Sequence, residues 1–433
     1  MRATGLDKRL HALTATEMVK LIQAGEASCE AVAQACLAHI EDREPDVQAW
    51  QYLNPDRVLA QARALDRQNA STGPLHGVPF GVKDIIDTYD MPTSYGSPIY
   101  QGHQPVLDAA CVALSRKAGG VLMGKTVTTE FANMHPGKTR HPMDPQRTPG
   151  GSSSGSGAAV GDHMVPLAIG TQTTASVIRP ASFCSVFGYR PTYGDLRMVG
   201  VKEAAGSLDT LGLMARSIDD ISLYRDVLLD MEPTPLPPAS QAPKIGFCRT
   251  PLWSELEPYT ASLLEAAAEQ LTKVGAHVQE VKLPSDFDSI VEIHRAISSF
   301  EFRRNFTYEI ENHWEQISLT LRQGRIANGQ ACSYEQYCDA RMWAEARRRQ
   351  LDDIFASFDV LLTASVAGEA PVGLSSTGNP VFCALWTTMH VPAITVPLFT
   401  GPHGLPVGAQ LVGRRYRDRQ LLAVAQWVSQ RLG

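Results

Sequence analysis

Between residues 78 and 230 the chain keeps repeating one texture: short apolar runs, each broken by Gly, Ser or Pro, with amphipathic stretches between them. GVPFGVKDIID, GGVLMGKT, HMVPLAIGT and CSVFGY are such runs, and DAACVALSRKAGG is one of the stretches. Apolar runs of this length suit strands buried on both faces, and the stretches suit the helices that cover them. The expectation is an α/β fold with a largely parallel or mixed sheet. The same strand texture returns at 358–412 in FDVLLTAS, PAITVP and LPVGAQLVG, and DRQLLAVAQWVSQRL reads as a closing helix.

The flanks read differently. The first 70 residues carry apolar positions at helical spacing, such as Ala31, Val32, Ala35, Cys36 and Ile40 behind a Ser28 N-cap. Residues 230–243, DMEPTPLPPASQAP, read as a Pro-rich crossing. KIGFCRT then reads as a strand, SLLEAAAEQLTKVGAHVQEVKLP as helix, turn and strand, and 285–350 as mostly helical.

Charge narrows the partners. Lys plus Arg is 39 and Asp plus Glu is 45, a net −6, so there is no basic surplus to release counterions from nucleic acid. No run of 18 uncharged apolar residues is present, so no membrane span is expected. MRATGLDKRLHALTATEM lacks the apolar core of a signal peptide, and Asp7 and Glu17 argue against a transit peptide. The eight cysteines have no CxxC pair and read as free thiols, which points to a cytoplasmic setting. His135, His141 and His163 have no zinc-site spacing, so no metal is expected.

Three motifs compete for the chemistry. Gly119-x4-Gly124-Lys125-Thr126 fits the P-loop pattern, which would make the chain a nucleotide-binding protein. Its interior, Val121, Leu122 and Met123, is itself a strand, where the mechanism needs a loop. Gly151-Ser152-Ser153-Ser154-Gly155 fits the nucleophile-elbow pattern, but polar, Pro-broken sequence precedes it instead of a buried strand. The third is a constellation: Lys83 in GVPFGVKD, the Gly/Ser segment 150–157, and Ser176 in GTQTTASVIRP. Lys83 stands among Val78, Phe80, Val82, Ile85 and Ile86, where a lysine is either snorkelling or desolvated.

PGGSSSGSGAAV at 149–160 and GTQTTASVIRPASFCSVFGYRP at 170–191 strongly resemble the amidase signature family. GVPFGVKD, GKTVTTEFA, SLDTLGLMARS, GEAPVGLSSTGNP and GLPVGAQLVG are similar to family sequence in matching order. The likeness is dense over about 75–220 and poor over 230–350. It implies an α/β/α sandwich around a large mixed sheet. The whole chain, 1–433, would form one amidase domain with a signature core at 70–225, a variable substrate-shaping region at 230–350 and a return to the core at 358–433.

The chemistry that the resemblance implies is amide hydrolysis without a cofactor. Ser176 is the nucleophile, Lys83 the base and Ser152, after a cis peptide bond, the proton relay. Ser153 supports them, and the N–H groups of Thr173, Thr174, Ala175 and Ser176 form the oxyanion hole. Asn133, Met134 and His135, just before the Gly/Ser segment, are pocket candidates.

Physical chemistry sets conditions on these roles. A serine hydroxyl needs a base, and no histidine lies in the three segments. A lysine of ordinary pKa, about 10.4, is only about 0.04% neutral at pH 7. Bringing it to about 7 takes about 4.6 kcal/mol of desolvation and hydrogen bonding. A nearby carboxylate would oppose this, so Asp84 is expected to point away from Lys83. Four residues without proline at 173–176 leave four N–H donors for a developing oxyanion.

The sequence departs from the family pattern in places. Many members carry Asp-x-Gly-Gly before the nucleophile; here the residues are Gln172, Thr173, Thr174 and Ala175. The arginine falls at Arg179, one place later than in the commonest form, and His141 and Cys383 stand where Asn is common. The expected partner is a small-molecule amide; self-association as a homodimer stays open. The alternative inside the fold is the glutaminase-type subunit of a tRNA-dependent amidotransferase, whose usual Asp and Gly-Gly this chain lacks.

Overall fold

The computed structural model describes residues 7–68, 71–237 and 242–433. The targeting reading of the N-terminus therefore lies partly outside the described residues, as does the middle of the Pro-rich 230–243 segment.

Eleven strands among the described residues form one sheet. They are β1 (Trp50–Leu53), β2 (Pro79–Lys83), β3 (Val121–Thr126), β4 (Leu167–Gln172), β5 (Phe187–Arg190), β6 (Thr210–Ala215), β7 (Lys244–Cys248), β8 (His277–Val281), β9 (Val360–Ala364), β10 (Ala393–Thr400) and β11 (Pro406–Gly413). Their spatial order is β1-β3-β2-β4-β6-β5-β10-β11-β9-β7-β8. β3, β2 and β4 run parallel, as do β9, β7 and β8; the strands between them pair antiparallel. The sheet is mixed, with helices on both faces, as the texture implied.

Side-chain alternation explains why the central strands are apolar throughout. On β3, Leu122 enters one core cluster while Val121 and Met123 enter another; on β4, Leu167 and Ile169 face the first cluster and Ala168 the second. Each fully buried side chain of this size contributes roughly 1.5–3 kcal/mol.

The N-terminal part holds the helices Ala15–Gln23, Cys29–Val47 and Pro55–Asp66. Ser28 caps the second as expected, its hydroxyl accepting from Ala31 N at 3.0 Å. The all-helical reading of this part missed β1, a four-residue strand that gains its stability by pairing antiparallel with β3. The region 230–350 is largely helical, with Ile290–Asn305 and Tyr334–Ile354 its main elements after β8. Among the described residues, no helix is long and apolar enough to cross a membrane.

Two of the three motifs are resolved by the strands. Gly119–Thr126 is the approach to β3 and β3 itself, with Lys125 fully buried in the sheet, so no phosphate-cradling loop exists there. Residues 145–150 before the Gly/Ser segment form no strand, so the elbow geometry is absent.

Candidate active site

β2 and β4 are parallel neighbours, with Phe80 opposite Leu167 and Val82 opposite Ile169. This register brings their C-terminal ends, Lys83 and Thr171–Gln172, to the same edge of the sheet, where crevices form in α/β folds. The Gly/Ser segment crosses that edge. Its last residues open the buried helix Ser154–Gly161, and the peptide bond between Gly151 and Ser152 is cis. Ser176 lies in the turn between β4 and the short helix Ile178–Phe183.

Lys83 Nζ donates to Ser152 Oγ at 2.6 Å and to Thr171 Oγ1 at 2.9 Å. The side chain is wholly removed from water. Burial lowers its pKa to about 7, against a smaller opposing pull from Asp209. A buried ammonium loses its hydration, so the neutral amine gains ground. Asp84 points elsewhere, as expected: its Oδ1 lies 3.1 Å from Lys125 Nζ, and its Oδ2 accepts from Ser94 N at 3.1 Å.

Ser153 ties the pieces together. Its N–H donates to Ser176 O, its Oγ accepts from Thr171 N, and its hydroxyl donates to Thr171 O, each at 3.3 Å. Gly170 makes room for it: a Cβ there would sit 2.6 Å from Ser153 Oγ. The Ser176 hydroxyl makes no hydrogen bond to Ser152 or to any other described residue and lines a cavity of about 130 Å³.

The turn before Ser176 is held by its carbonyls and side chains. Gln172 Oε1 accepts from Val177 N and Ile178 N, both at 3.0 Å. Thr387 Oγ1 donates to Thr174 O at 2.9 Å. Among the described residues, the N–H groups of Thr173, Thr174, Ala175 and Ser176 have no acceptor. Arg179, buried, donates through Nη2 to Gly151 O at 2.7 Å and to Thr377 Oγ1 at 3.0 Å, through Nε to Gly151 O at 3.2 Å, and through Nη1 to Gly378 O. It thus tethers the residue before Ser152.

Asn133 and Met134 line the cavity beside Ser176, together with Thr173, Thr174 and Arg325. His135 does not. It is exposed, and its carbonyl accepts from Glu130 N at 3.1 Å, so the loop turns its side chain outward. His141 is structural: Nε2 donates to Phe183 O at 2.8 Å and Nδ1 accepts from Met143 N at 3.1 Å. Cys383 is buried, with its thiol against Ser365 O at 3.6 Å. Sequence reasoning missed Thr171, Asp209, His294 and Arg325. Thr171 had a signal, being on the same side of β4 as Ile169 at the strand end. The other three come from segments far away in sequence.

The amidase family's sequence profile matches residues 31–422. The chain belongs to the amidase family. This amidase is 33% identical to a glutamyl-tRNA(Gln) amidotransferase subunit of Chloroflexus aurantiacus over 98% of each chain. Among solved structures it resembles an amidase with a TM-score of 0.88 and 28% identity, covering 97% of this chain and 100% of that one. It also resembles the native peptide amidase of Stenotrophomonas maltophilia, with a TM-score of 0.81 and 28% identity over 97% and 96% of the two chains. The amidase is thus an enzyme of the C–N hydrolase type, on the α/β fold its sequence implied. The relatives' name matches the amidotransferase alternative better than that of a free-standing amidase.

Proposed function

We propose that the chain hydrolyses a carboxamide C–N bond through an acyl-enzyme on Ser176. Ser176 Oγ attacks the carbonyl carbon while its proton passes to Ser152 and the Ser152 proton passes to neutral Lys83. The N–H groups of 173–176 take the oxyanion, and each such donor is typically worth about 2.7–4 kcal/mol. On collapse the C–N bond breaks, and the proton returns through Ser152 to the leaving amine. Water then attacks the ester, giving a carboxylate and freeing Ser176.

The observation that carries this reading is Lys83 Nζ, buried and 2.6 Å from Ser152 Oγ, with its pKa lowered to about 7. The free rotor of Ser176 fits a contact that forms only with substrate in place, as catalytic hydrogen bonds often do. The test is a fluorophosphonate probe with peptide mapping. The label is expected on Ser176 and lost in Ser176→Ala; a label on any other residue sinks the assignment.

The relatives named as amidotransferase subunits favour a second reading, a glutaminase-type chain that works with partner chains. Arg325 in the cavity could take a glutamine carboxylate. Against it stand Gln172, Thr173, Thr174 and Ala175 in place of Asp-x-Gly-Gly. The described cavity lining also contains no Asp or Glu to meet an α-ammonium. Size-exclusion mass of the purified chain, with ammonia release measured from glutamine and from simple amides, separates the two. Glutamine turnover confined to a complex with added partner subunits would favour the second.

A further inference from the structure

We infer that His294 and Asp209 are positioning residues that clamp the 172–176 turn from two sides, so that the helical 230–350 region takes part in catalysis by fixing the oxyanion donors. The inference rests on the acyl-enzyme reading above.

Thr173 is the held residue. Its hydroxyl donates to Asp209 Oδ1, while Asp209 Oδ2 accepts from Ala204 N at 2.6 Å and Ala205 N at 3.0 Å. Its carbonyl accepts from His294 Nε2 at 3.1 Å, and the same N–H reaches Thr174 Oγ1 at 3.3 Å. Every one of these bonds uses a carbonyl or a side chain of the turn. None competes for the N–H groups that would meet the oxyanion.

The two halves of the clamp are mechanically linked. His294 sits on the helix Ile290–Asn305. Seven residues on, Glu301 of the same helix accepts from Ser207 N at 2.9 Å and from Ser207 Oγ at 2.5 Å, two residues before Asp209. One helix therefore anchors the histidine directly and the aspartate through Ser207. His294 and Asp209 are both buried, so their bonds lie in low dielectric, and losing one leaves an unpaired polar group. Burial also lowers the His294 pKa to about 4, which keeps the ring neutral and its single N–H fixed on the turn at neutral pH.

A sub-ångström shift of preorganised donors is enough to slow an acyl transfer. The test follows the rate of fluorophosphonate modification of Ser176 in the full chain. In that reaction the Ser176 Oγ–P bond forms, fluoride leaves, and the phosphoryl oxygen occupies the place of the oxyanion. His294→Ala should label about tenfold more slowly or worse while retaining a cooperative melt. His294→Gln, which keeps a side-chain N–H donor, should return to within about threefold of the natural chain. Thr173→Val, which removes the hydroxyl that Asp209 Oδ1 accepts from at nearly constant side-chain shape, should slow labelling as well and serves if the alanine variant does not fold. Labelling at the natural rate in His294→Ala, or in Thr173→Val when the alanine variant does not fold, overturns the inference. So does equal slowing in His294→Ala and His294→Gln. Failure of the natural chain to label at Ser176 would instead strike the acyl-enzyme reading itself.

Discussion

Lys125 Nζ stands 3.1 Å from Asp84 Oδ1, both wholly buried, and so the carboxylate next to Lys83 in sequence is committed to the neighbouring strand. β2 ends at Lys83 and Asp84 begins the turn that follows, where Ile85 N and Ile86 N both donate to Lys83 O, and its carboxylate is held away from Lys83 by Lys125 and Ser94. The lysine that fits a P-loop pattern in sequence thus acts as a counter-ion, and it leaves Lys83 free to lose its proton.

Breaking that pair should be costly. Lys125→Met removes the cation beside the buried Asp84 carboxyl, a loss of about 3–5 kcal/mol. Adding Asp84→Asn should recover part of it. Urea unfolding of the two variants checks this, and the single variant should also move the acid limb of activity to higher pH, because the uncompensated carboxylate favours protonated Lys83.

The rate of Ser176 modification should rise with pH through about 7. Below that value Lys83 is an ammonium with no lone pair for the Ser152 proton; above it the amine is neutral and competent. A pH–rate profile for the probe checks the sign, and a limb first appearing above about pH 9 would contradict it.

Gly170→Ala should damage the site more than the fold. The new Cβ would lie 2.6 Å from Ser153 Oγ and 2.9 Å from Ser153 Cβ, so Ser153 must leave its seat on β4. Overpacking of this kind costs about 1–3 kcal/mol. The expected result is a modest drop in melting temperature with a larger loss of Ser176 labelling, measured on the same preparation.

Arg179→Lys should not be conservative. The guanidinium holds Gly151 O, Thr377 Oγ1 and Gly378 O at once, and an ammonium cannot span that fork. Bonds to a charged group are worth about 1.5–3 kcal/mol each, so a loss of about 2–3 kcal/mol is expected in denaturant unfolding. Ser176 labelling should slow too, because Gly151 carries Ser152.

Local patterning determined much of this protein. The apolar runs fixed which segments are strands buried on both faces, because burial on both sides demands continuous apolar sequence. The run Val121, Leu122 and Met123 read as a strand where a phosphate site needs a loop, and β3 then excluded the loop. The setting of Lys83 among apolar residues left it either snorkelling or desolvated, the resemblance pointed to Ser152, Ser153 and Ser176, and the structure buried the lysine and lowered its pKa to about 7. Only tertiary structure decided what surrounds them. β1 exists through pairing with β3, and Thr171, Arg325, His294 and Asp209 reach the site from four separate segments. His135, adjacent in sequence to the two pocket residues, turns away from the cavity. The physical reason is range: hydrophobic period and turn chemistry act over a few residues and can be read along the chain. Hydrogen bonds such as that from His294 to Thr173 join positions more than a hundred residues apart, and no local pattern encodes them.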